Sequence, residues 1–119
     1  MAINIGLLEK ILAYYTLKYN LPYFEILLNN NYYNCSCNHS NNYIQLSPTY
    51  ISDGFLTNRW KNRHPFAKTF ETLTITIFLH EIKHAIDYLH YKNEYVDINA
   101  TERERQADIF AEQEINKWL

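Results

Sequence analysis

Apolar side chains recur at helical spacing near the start of the chain, which predicts an amphipathic first helix. The stripe is formed by Leu7, Leu8, Ile11, Leu12, Tyr15 and Tyr19. Asn20 and Pro22 follow it, and both are residues at which helices commonly end. Three short runs of strand-like composition come next, at 23–28, 32–37 and 43–46, separated by Asn-rich turns. These runs predict a small sheet of three strands, mostly antiparallel.

A longer helical pattern follows the predicted sheet. Pro65 suits a first helical position, and neither glycine nor proline occurs between Phe66 and Tyr91. One stripe of this segment contains, in order, Phe66, Phe70, Leu73, Ile77, His80 and His84. Between Thr72 and Ile77 most residues are β-branched and form helices poorly, so burial rather than intrinsic propensity must hold this stretch. We therefore expect a long, mostly buried helix.

A final helix is predicted from Thr101 onward. Its stripe at helical spacing consists of Glu104, Ala107, Asp108, Ala111, Ile115 and Trp118. Two carboxylates in an otherwise apolar stripe need partners, because burying an unpaired charge is unfavourable. The sequence offers two explanations. Thr101 and Glu104 have the spacing of a capping box, in which the Glu104 side chain reaches back to the Thr101 backbone. Alternatively, the carboxylates bind partners at a site elsewhere in the fold, and the pattern leaves both explanations open.

Length and composition predict one α+β domain covering residues 1–119. The chain has 119 residues, 47% of them hydrophobic, and its 11 tyrosines and 6 phenylalanines supply much of the core volume. A net charge of −2 argues against a nucleic-acid partner. The pattern contains neither a membrane span nor a basic leader segment, so we expect a cytoplasmic protein without a membrane partner.

The long helix carries the motif with the clearest chemistry, the pentapeptide HEIKH at 80–84. Residues four apart share a helix face, so His80 and His84 can bind one Zn²⁺ ion per chain. Glu81 lies about 100° around the helix from His80, where its carboxylate can take a proton from a metal-bound water. The same motif also occurs in ordinary core helices that contain two buried histidines and a surface glutamate.

A catalytic zinc site needs a third protein ligand beside one open position. His90 is the nearer candidate, and the run from His80 to His90 resembles the metzincin metallopeptidases. However, Asp87 stands where that family has a glycine, and Met1 is the only methionine, so the Met-turn of that family is absent. In a continuous helix His90 would face away from His84. His90 is therefore the alternative third ligand.

The farther candidate is Glu104, which opens the segment ERQADIFA. HExxH followed after nineteen residues by ExxxD resembles the gluzincin zinc metallopeptidases, and the minigluzincins and ImmA/IrrE-like peptidases are the nearest branches. The resemblance implies that His80, His84 and Glu104 bind the zinc. It also implies that Glu81 is the general base and that Asp108 supports a ligand histidine through its other ring nitrogen.

The gluzincin layout implies zinc-dependent hydrolysis of a peptide or protein substrate. In that layout an edge strand near the metal binds the peptide as an added strand. Our candidate strand consists of Tyr43, Ile44, Gln45 and Leu46. Larger gluzincins hold the oxyanion with a downstream histidine or tyrosine, for which the candidates here are Tyr88, Tyr91 and Tyr95. Likeness to the minigluzincins further implies latency, with residues 115–119 covering the cleft and truncation after Asn116 raising activity.

A second class of function stays open, a non-catalytic module that zinc stabilises and that binds a regulatory protein partner, as in a phage or plasmid regulator. This hypothesis keeps His80, His84 and Glu104 as a structural metal site. It differs from the hydrolase hypothesis in one respect, because it gives Glu81 no role. Replacement of Glu81 by glutamine therefore separates the two hypotheses.

Two smaller features have an ordinary interpretation and a functional one. Cys35, Cys37 and His39 alternate, so on a strand they would share one face and could bind a second metal or shield the first. Two cysteines one residue apart make a poor disulfide or metal site, which favours a half-exposed strand in a reducing compartment. The basic run at 59–63 contains an aromatic residue and could contact nucleic acid or an acidic partner, but a solvated loop before a helix is the better interpretation. His64 is interpreted as a loop or cap residue.

Overall fold

The computed structural model describes residues 2–31 and 34–119, and in these residues the chain forms an α+β fold as predicted. Its helices are α1 (Ile5–Tyr19), α2 (Pro48–Leu56), α3 (Phe70–Tyr91) and α4 (Ala100–Glu114), and its strands are β1 (Glu25–Leu28), β2 (Ser36–Asn38) and β3 (Tyr43–Leu46). Short 3₁₀ helices at Lys92–Asp97 and Ile115–Lys117 follow α3 and α4. Within the described ranges, no helix has both the length and the apolar character that a membrane crossing requires.

The first helix begins and ends at asparagines. The side-chain oxygen of Asn4 accepts a hydrogen bond from the backbone N–H of Leu7 at 3.1 Å and so caps the N-terminus. Asn20 adopts the left-handed conformation, with φ 54°, and its N–H donates to the carbonyl of Thr16. The predicted helix end at Asn20 is therefore confirmed, and the buried face of α1 is Leu8, Ile11, Leu12 and Tyr15.

The sheet has the strand order β1-β3-β2 and is mixed, where the sequence favoured a mostly antiparallel one. Ile44 of β3 lies opposite Ile26 in a parallel pair with β1 and opposite Cys37 in an antiparallel pair with β2. The physical reason is the path of the chain. It reverses direction twice after β1, and two reversals restore the direction of β1 when β3 inserts between the earlier strands.

The strand order contradicts the prediction that the segment Tyr43–Leu46 is an edge strand. This segment is β3, which is hydrogen-bonded to a neighbour on both sides. Ile44, Gln45 and Leu46 are all buried, so both faces of the strand are covered as well. A strand with no free edge cannot add a peptide, and the free edges of the sheet belong to β1 and β2.

The second helix was absent from the prediction. It is short, and the interior of Pro48–Leu56 contains Gly54, which weakens a helical pattern. Its start is nevertheless well defined, because the hydroxyl of Ser47 accepts a hydrogen bond from the N–H of Tyr50 at 3.2 Å and Pro48 occupies the first turn. The turns and bends of residues 57–69 connect this helix to α3.

The long central helix begins at Phe70 rather than at Pro65. Thr69 is the cap, since its hydroxyl oxygen accepts from the N–H of Thr72 at 3.0 Å. The expected burial of the β-branched stretch is confirmed, and the hydroxyls of Thr74 and Thr76 donate to backbone carbonyls one turn earlier, at 2.8 and 2.7 Å. A threonine-rich helix can therefore lie in the core without unpaired hydroxyls.

The C-terminal helix begins one residue before Thr101 and ends at Glu114, so the predicted stripe continues only as far as the short 3₁₀ helix at Ile115–Lys117. The chain end then packs against α1. The indole N–H of Trp118 donates to the Tyr15 hydroxyl oxygen at 3.2 Å, and that hydroxyl donates to Glu114 at 2.8 Å. Ile115 is fully buried in the same cluster.

We predict that truncation after Asn116 destabilises the fold. It removes the Trp118 indole from its edge-on contact with Tyr14 and leaves the Tyr15 hydroxyl without its donor. The expected loss in the free energy of unfolding is about 2 kcal/mol, measured by urea denaturation. Removal of Leu119 alone, which is 68% exposed, is the control and should have little effect. Equal stability of the two truncated chains would contradict the packing role of Trp118.

Candidate metal centre

Two histidines one turn apart on α3 converge, as their spacing predicts. Their Nε2 atoms are 3.1 Å apart, and both His80 and His84 are buried. The helix α3 therefore places two imidazole nitrogens next to each other on the side that faces α4.

Glu104 reaches this point from α4. Its Oε2 lies 2.9 Å from Nε2 of His80, and its Oε1 lies 2.9 Å from Nε2 of His84. The capping-box alternative is wrong, because the side chain of Asn99 caps α4 by accepting from the N–H of Thr101 at 2.8 Å. The Glu104 side chain is 54% exposed, so the centre is open to solvent on this side.

The spacing of these donors can be compared with the size of a metal ion. In a tetrahedral site with bonds of about 2.0–2.1 Å, neighbouring ligand atoms are about 3.3 Å apart. The three donor pairs of His80, His84 and Glu104 are separated by 2.9–3.1 Å, so small outward movements would admit an ion. Two imidazole nitrogens and one carboxylate oxygen also suit a divalent transition metal chemically. The residues therefore fit a metal site.

The charges of the centre attract its donor groups to one another. Burial alone would lower the pKa of His80, but hydrogen bonds with Asp108 and Glu104 raise it to about 9. Hydrogen bonds from His80 and His84 in turn hold the pKa of Glu104 well below its usual range. A proton on His80 therefore links the two helices in the metal-free protein, and a metal ion would compete with that proton.

The outer nitrogen of each histidine has its own partner. Nδ1 of His80 donates to Oδ1 of Asp108 at 2.7 Å, which is the contact that the gluzincin resemblance implies. Burial alone would raise the pKa of Asp108, but hydrogen bonds from His80 and Arg63 lower it to about 2. The Tyr95 hydroxyl lies 3.2 Å from Nδ1 of His84. Both rings are thus oriented with Nε2 towards Glu104.

The three candidate oxyanion tyrosines occupy different environments. Tyr95 is buried and engaged with His84, so it supports a candidate ligand. The ring of Tyr88 stacks on His39 with centroids 3.8 Å apart. Tyr91 is exposed at the end of α3. Only Tyr95 among them lines the cleft beside the histidines.

Glu81 is buried beside the two histidines and is not a surface residue. Only 6% of the residue is exposed, and ligand atoms of His80, Glu81 and His84 all lie within 4.8 Å of one another. Burial raises the pKa of Glu81 to about 7, against the lowering effect of the two imidazoles. This position contradicts the interpretation of HEIKH as a core helix with a glutamate in solvent. A carboxyl group with a pKa near neutrality can accept and release protons.

A cleft of about 500 Å³ opens beside these residues. Its lining consists of Asn34, Cys35, Ser36, Cys37, His39, His80, Glu81, His84, Tyr95, Ala100, Arg103 and Glu104. The edge strand that borders the cleft is therefore β2, which takes the place predicted for β3. Residues 115–119 are not part of this lining, so the C-terminal segment does not cover the cleft as the latency hypothesis expected.

The cysteines of β2 and its approach line the cleft but do not form a second metal site. Burial raises the pKa of Cys35 and of Cys37 to about 12, so both thiols are protonated near neutral pH. Within the described residues, the group of metal-ligating side chains whose ligand atoms lie within 4.8 Å of one another consists of His80, Glu81 and His84, without Cys35, Cys37 or His39. The ordinary interpretation of this alternating run is the better one.

His90 does not reach the centre. The helix α3 is continuous from Phe70 to Tyr91, so His90 points away from His84 and is exposed. Its ring contacts Tyr91 instead, with centroids 4.8 Å apart. The structure therefore gives no support to His90 as a third ligand.

Arg63 belongs to the centre and was missed in the sequence. Its Nε and Nη2 donate to the two carboxylate oxygens of Asp108 at 2.9 and 3.0 Å. The neighbouring His64 is buried, and burial lowers its pKa to about 4, so the cationic partner of Asp108 is the arginine. No sequence signal separates Arg63 from the other basic residues of 59–63, because a short basic run is typical of solvated loops.

Comparisons with protein families, with curated proteins and with solved structures find no match to this chain. The geometry of the centre formed by α3 and α4 is therefore the basis for assigning a function.

The metal-free protein should lose stability as the pH rises from about 6.5 to about 9. His80 has a pKa of about 9 in the folded chain against 6.5 for an ordinary histidine, so its contribution is complete below 6.5 and lost above 9. We expect a decrease of about 3 kcal/mol in the free energy of unfolding, measured with a chelator present. Combined replacement of Glu104 by Gln and Asp108 by Asn should flatten the profile. Stability that rises over this range would contradict the proton link.

Proposed function

We propose that this protein is a zinc-dependent peptide hydrolase of the gluzincin type. The observation that carries the proposal is the meeting of His80, His84 and Glu104 from two separate helices, with donor atoms 2.9–3.1 Å apart. Glu81 lines the same cleft, one residue from the first histidine. Two nitrogens, one carboxylate oxygen and a neighbouring buried carboxyl group are the components of a catalytic zinc site.

Each side chain has a defined task in this proposal. His80, His84 and Glu104 would hold the zinc, which when bound supplies a Lewis acid and lowers the pKa of water. Glu81 accepts a proton from the attacking water and returns it to the leaving amine, a transfer suited to its pKa of about 7. Asp108 and Tyr95 keep the rings oriented, because they contact the outer nitrogens.

The substrate is expected to be an extended peptide or a flexible segment of a protein. The strand β2 pairs with β3 along one edge, and its residues Ser36 and Cys37 line the cleft. An extended chain could add to that free edge through backbone hydrogen bonds. Cys35 and Cys37 are free thiols, which is consistent with the cytoplasm as the place of action.

The burial of Glu81 favours the hydrolase over a non-catalytic metal-stabilised module. A structural zinc site needs only the ligands and their supports, and it gives no reason to bury an additional carboxyl group beside them. A strongly perturbed carboxyl in a cleft is a common property of active sites. The module that binds a regulatory partner remains the alternative outcome of the following test.

Glu81→Gln should abolish peptide hydrolysis and leave the zinc site intact. The amide preserves the shape of the side chain but cannot accept the proton, so we expect activity on an unstructured protein substrate to fall by about 10²–10⁴-fold. Zinc affinity should stay within about twofold, because the three ligands are unchanged. Glu112→Gln, at an exposed position on α4, is the matched control. Full activity of the Glu81→Gln protein would refute the mechanism, and zinc binding without any hydrolysis by the unaltered chain would favour the binding module.

Glu104→Ala should lower zinc affinity by at least about tenfold, because it removes the oxygen donor that both imidazoles face. His90→Ala should leave the affinity unchanged, since His90 is exposed and directed away from His84. Competition with a chromogenic chelator measures both values. The reverse pattern would show that the histidine-rich site of the metzincin type is the correct one.

A further inference from the structure

The loop that connects α2 and α3 directs one arginine into the centre. We infer that Arg63 is a positioning residue of the proposed metal site, acting on His80 through Asp108 and facing Glu104 directly. This inference rests on the proposed function, because it concerns the same site. It goes beyond that function by assigning a role to a segment that supplies none of the proposed metal ligands.

The contact between Arg63 and Asp108 uses both oxygens of the carboxylate. Nε of Arg63 donates to Oδ2 at 2.9 Å and Nη2 donates to Oδ1 at 3.0 Å, while Nδ1 of His80 donates to the same Oδ1 at 2.7 Å. A bidentate guanidinium fixes the plane of a carboxylate, which a single ammonium group cannot do. The orientation of the Asp108 carboxylate, and with it the ring of His80, therefore depends on Arg63.

Arg63 also balances negative charge beside the histidines. Glu81, Glu104 and Asp108 lie around the same two rings, and Nη2 of Arg63 is 3.6 Å from Oε2 of Glu104. A fixed cation on the outer side of Glu104 and Asp108 reduces the repulsion between these carboxylates before a metal binds. Arg63 can thus keep the ligands close together in the metal-free protein.

The loop is built to hold the arginine in this place. Trp60 lies so close over α2 that an added Cβ at Gly54 would be 2.1 Å from the indole Nε1. Arg59 donates to the carbonyl of Tyr50 at 2.7 Å, and its guanidinium lies 4.2 Å from the Tyr50 ring centroid. The close approach requires a residue without a side chain at position 54. The helix α2 therefore serves as a base for the loop that carries Arg63.

The further side of the loop is fixed as well. The N–H of His64 donates to the carbonyl of Trp60 at 2.7 Å, and the His64 ring is buried next to that indole. Arg63 lies between these two anchored residues. Its backbone is thus held on both sides, and its side chain extends to Asp108, to which it donates two hydrogen bonds.

Zinc affinity of the full chain tests the inference. Arg63→Met should weaken binding by about tenfold to a hundredfold, the effect of losing an outer partner of a ligand, and Arg63→Lys should recover part of it. Lys61→Met removes the same charge from an exposed position of the same loop and should change affinity by less than about twofold. Thermal unfolding of each metal-free variant reports whether the fold is retained. If Arg63→Met does not fold, Arg63→Lys carries the test, with an expected loss of about threefold to tenfold.

A double-variant cycle tests the route through Asp108. If Arg63 acts by orienting that carboxylate, Arg63→Met should add less than about threefold to the effect of Asp108→Asn. Fully additive losses would overturn this route. The inference would be overturned if Arg63→Met, or Arg63→Lys in its place, bound zinc as tightly as the unaltered chain. In that case Glu104→Ala should still weaken binding, which would show that the proposed function had not failed as well. Absence of zinc binding by the unaltered chain would contradict the proposed function and the inference together.

Discussion

The approach of one carboxylate on α4 to two imidazoles on α3 is the interaction on which the centre depends. Glu104 contacts both Nε2 atoms at 2.9 Å, so the two helices must lie close together and in a fixed register. Ala107 and Ala111 are fully buried where α4 meets the core, and their small side chains allow this close approach. The close packing of α3 and α4 is therefore a condition for the geometry of the site.

The centre is supported from outside by segments that hold no candidate ligand. The loop before α3 supplies Arg63 to Asp108, and the 3₁₀ helix after α3 supplies Tyr95 to His84. Each imidazole is thus fixed through its outer nitrogen by a different part of the chain. A small domain obtains a preorganised site in this way, because the partners that orient the rings are themselves buried or anchored.

The periodic parts of the chain could be predicted from sequence, whereas the long-range partners could not. The stripe of α1 and the two carboxylates in the stripe of α4 depend on local spacing, which sequence records directly. The position of β3 in the middle of the sheet depends on which strands pair. The sequence pattern of its four residues does not distinguish an edge strand from a central one. Likewise α2 is short and contains Gly54, and Arg63 differs from a solvated arginine only through its distant partner Asp108.

X-ray absorption and anomalous scattering at the zinc edge test the central claim most directly. For the purified protein, the proposal predicts about one zinc ion per chain, bound by nitrogen and oxygen donors, with the anomalous peak between His80, His84 and Glu104. The ligand set should contain no sulfur, since the proposed ligands are two histidines and one glutamate, and neither Cys35 nor Cys37 belongs to the group of closely spaced ligand atoms around the histidines. A protein that binds no metal, or a metal site from which the Glu104 side chain is turned away, would contradict the account.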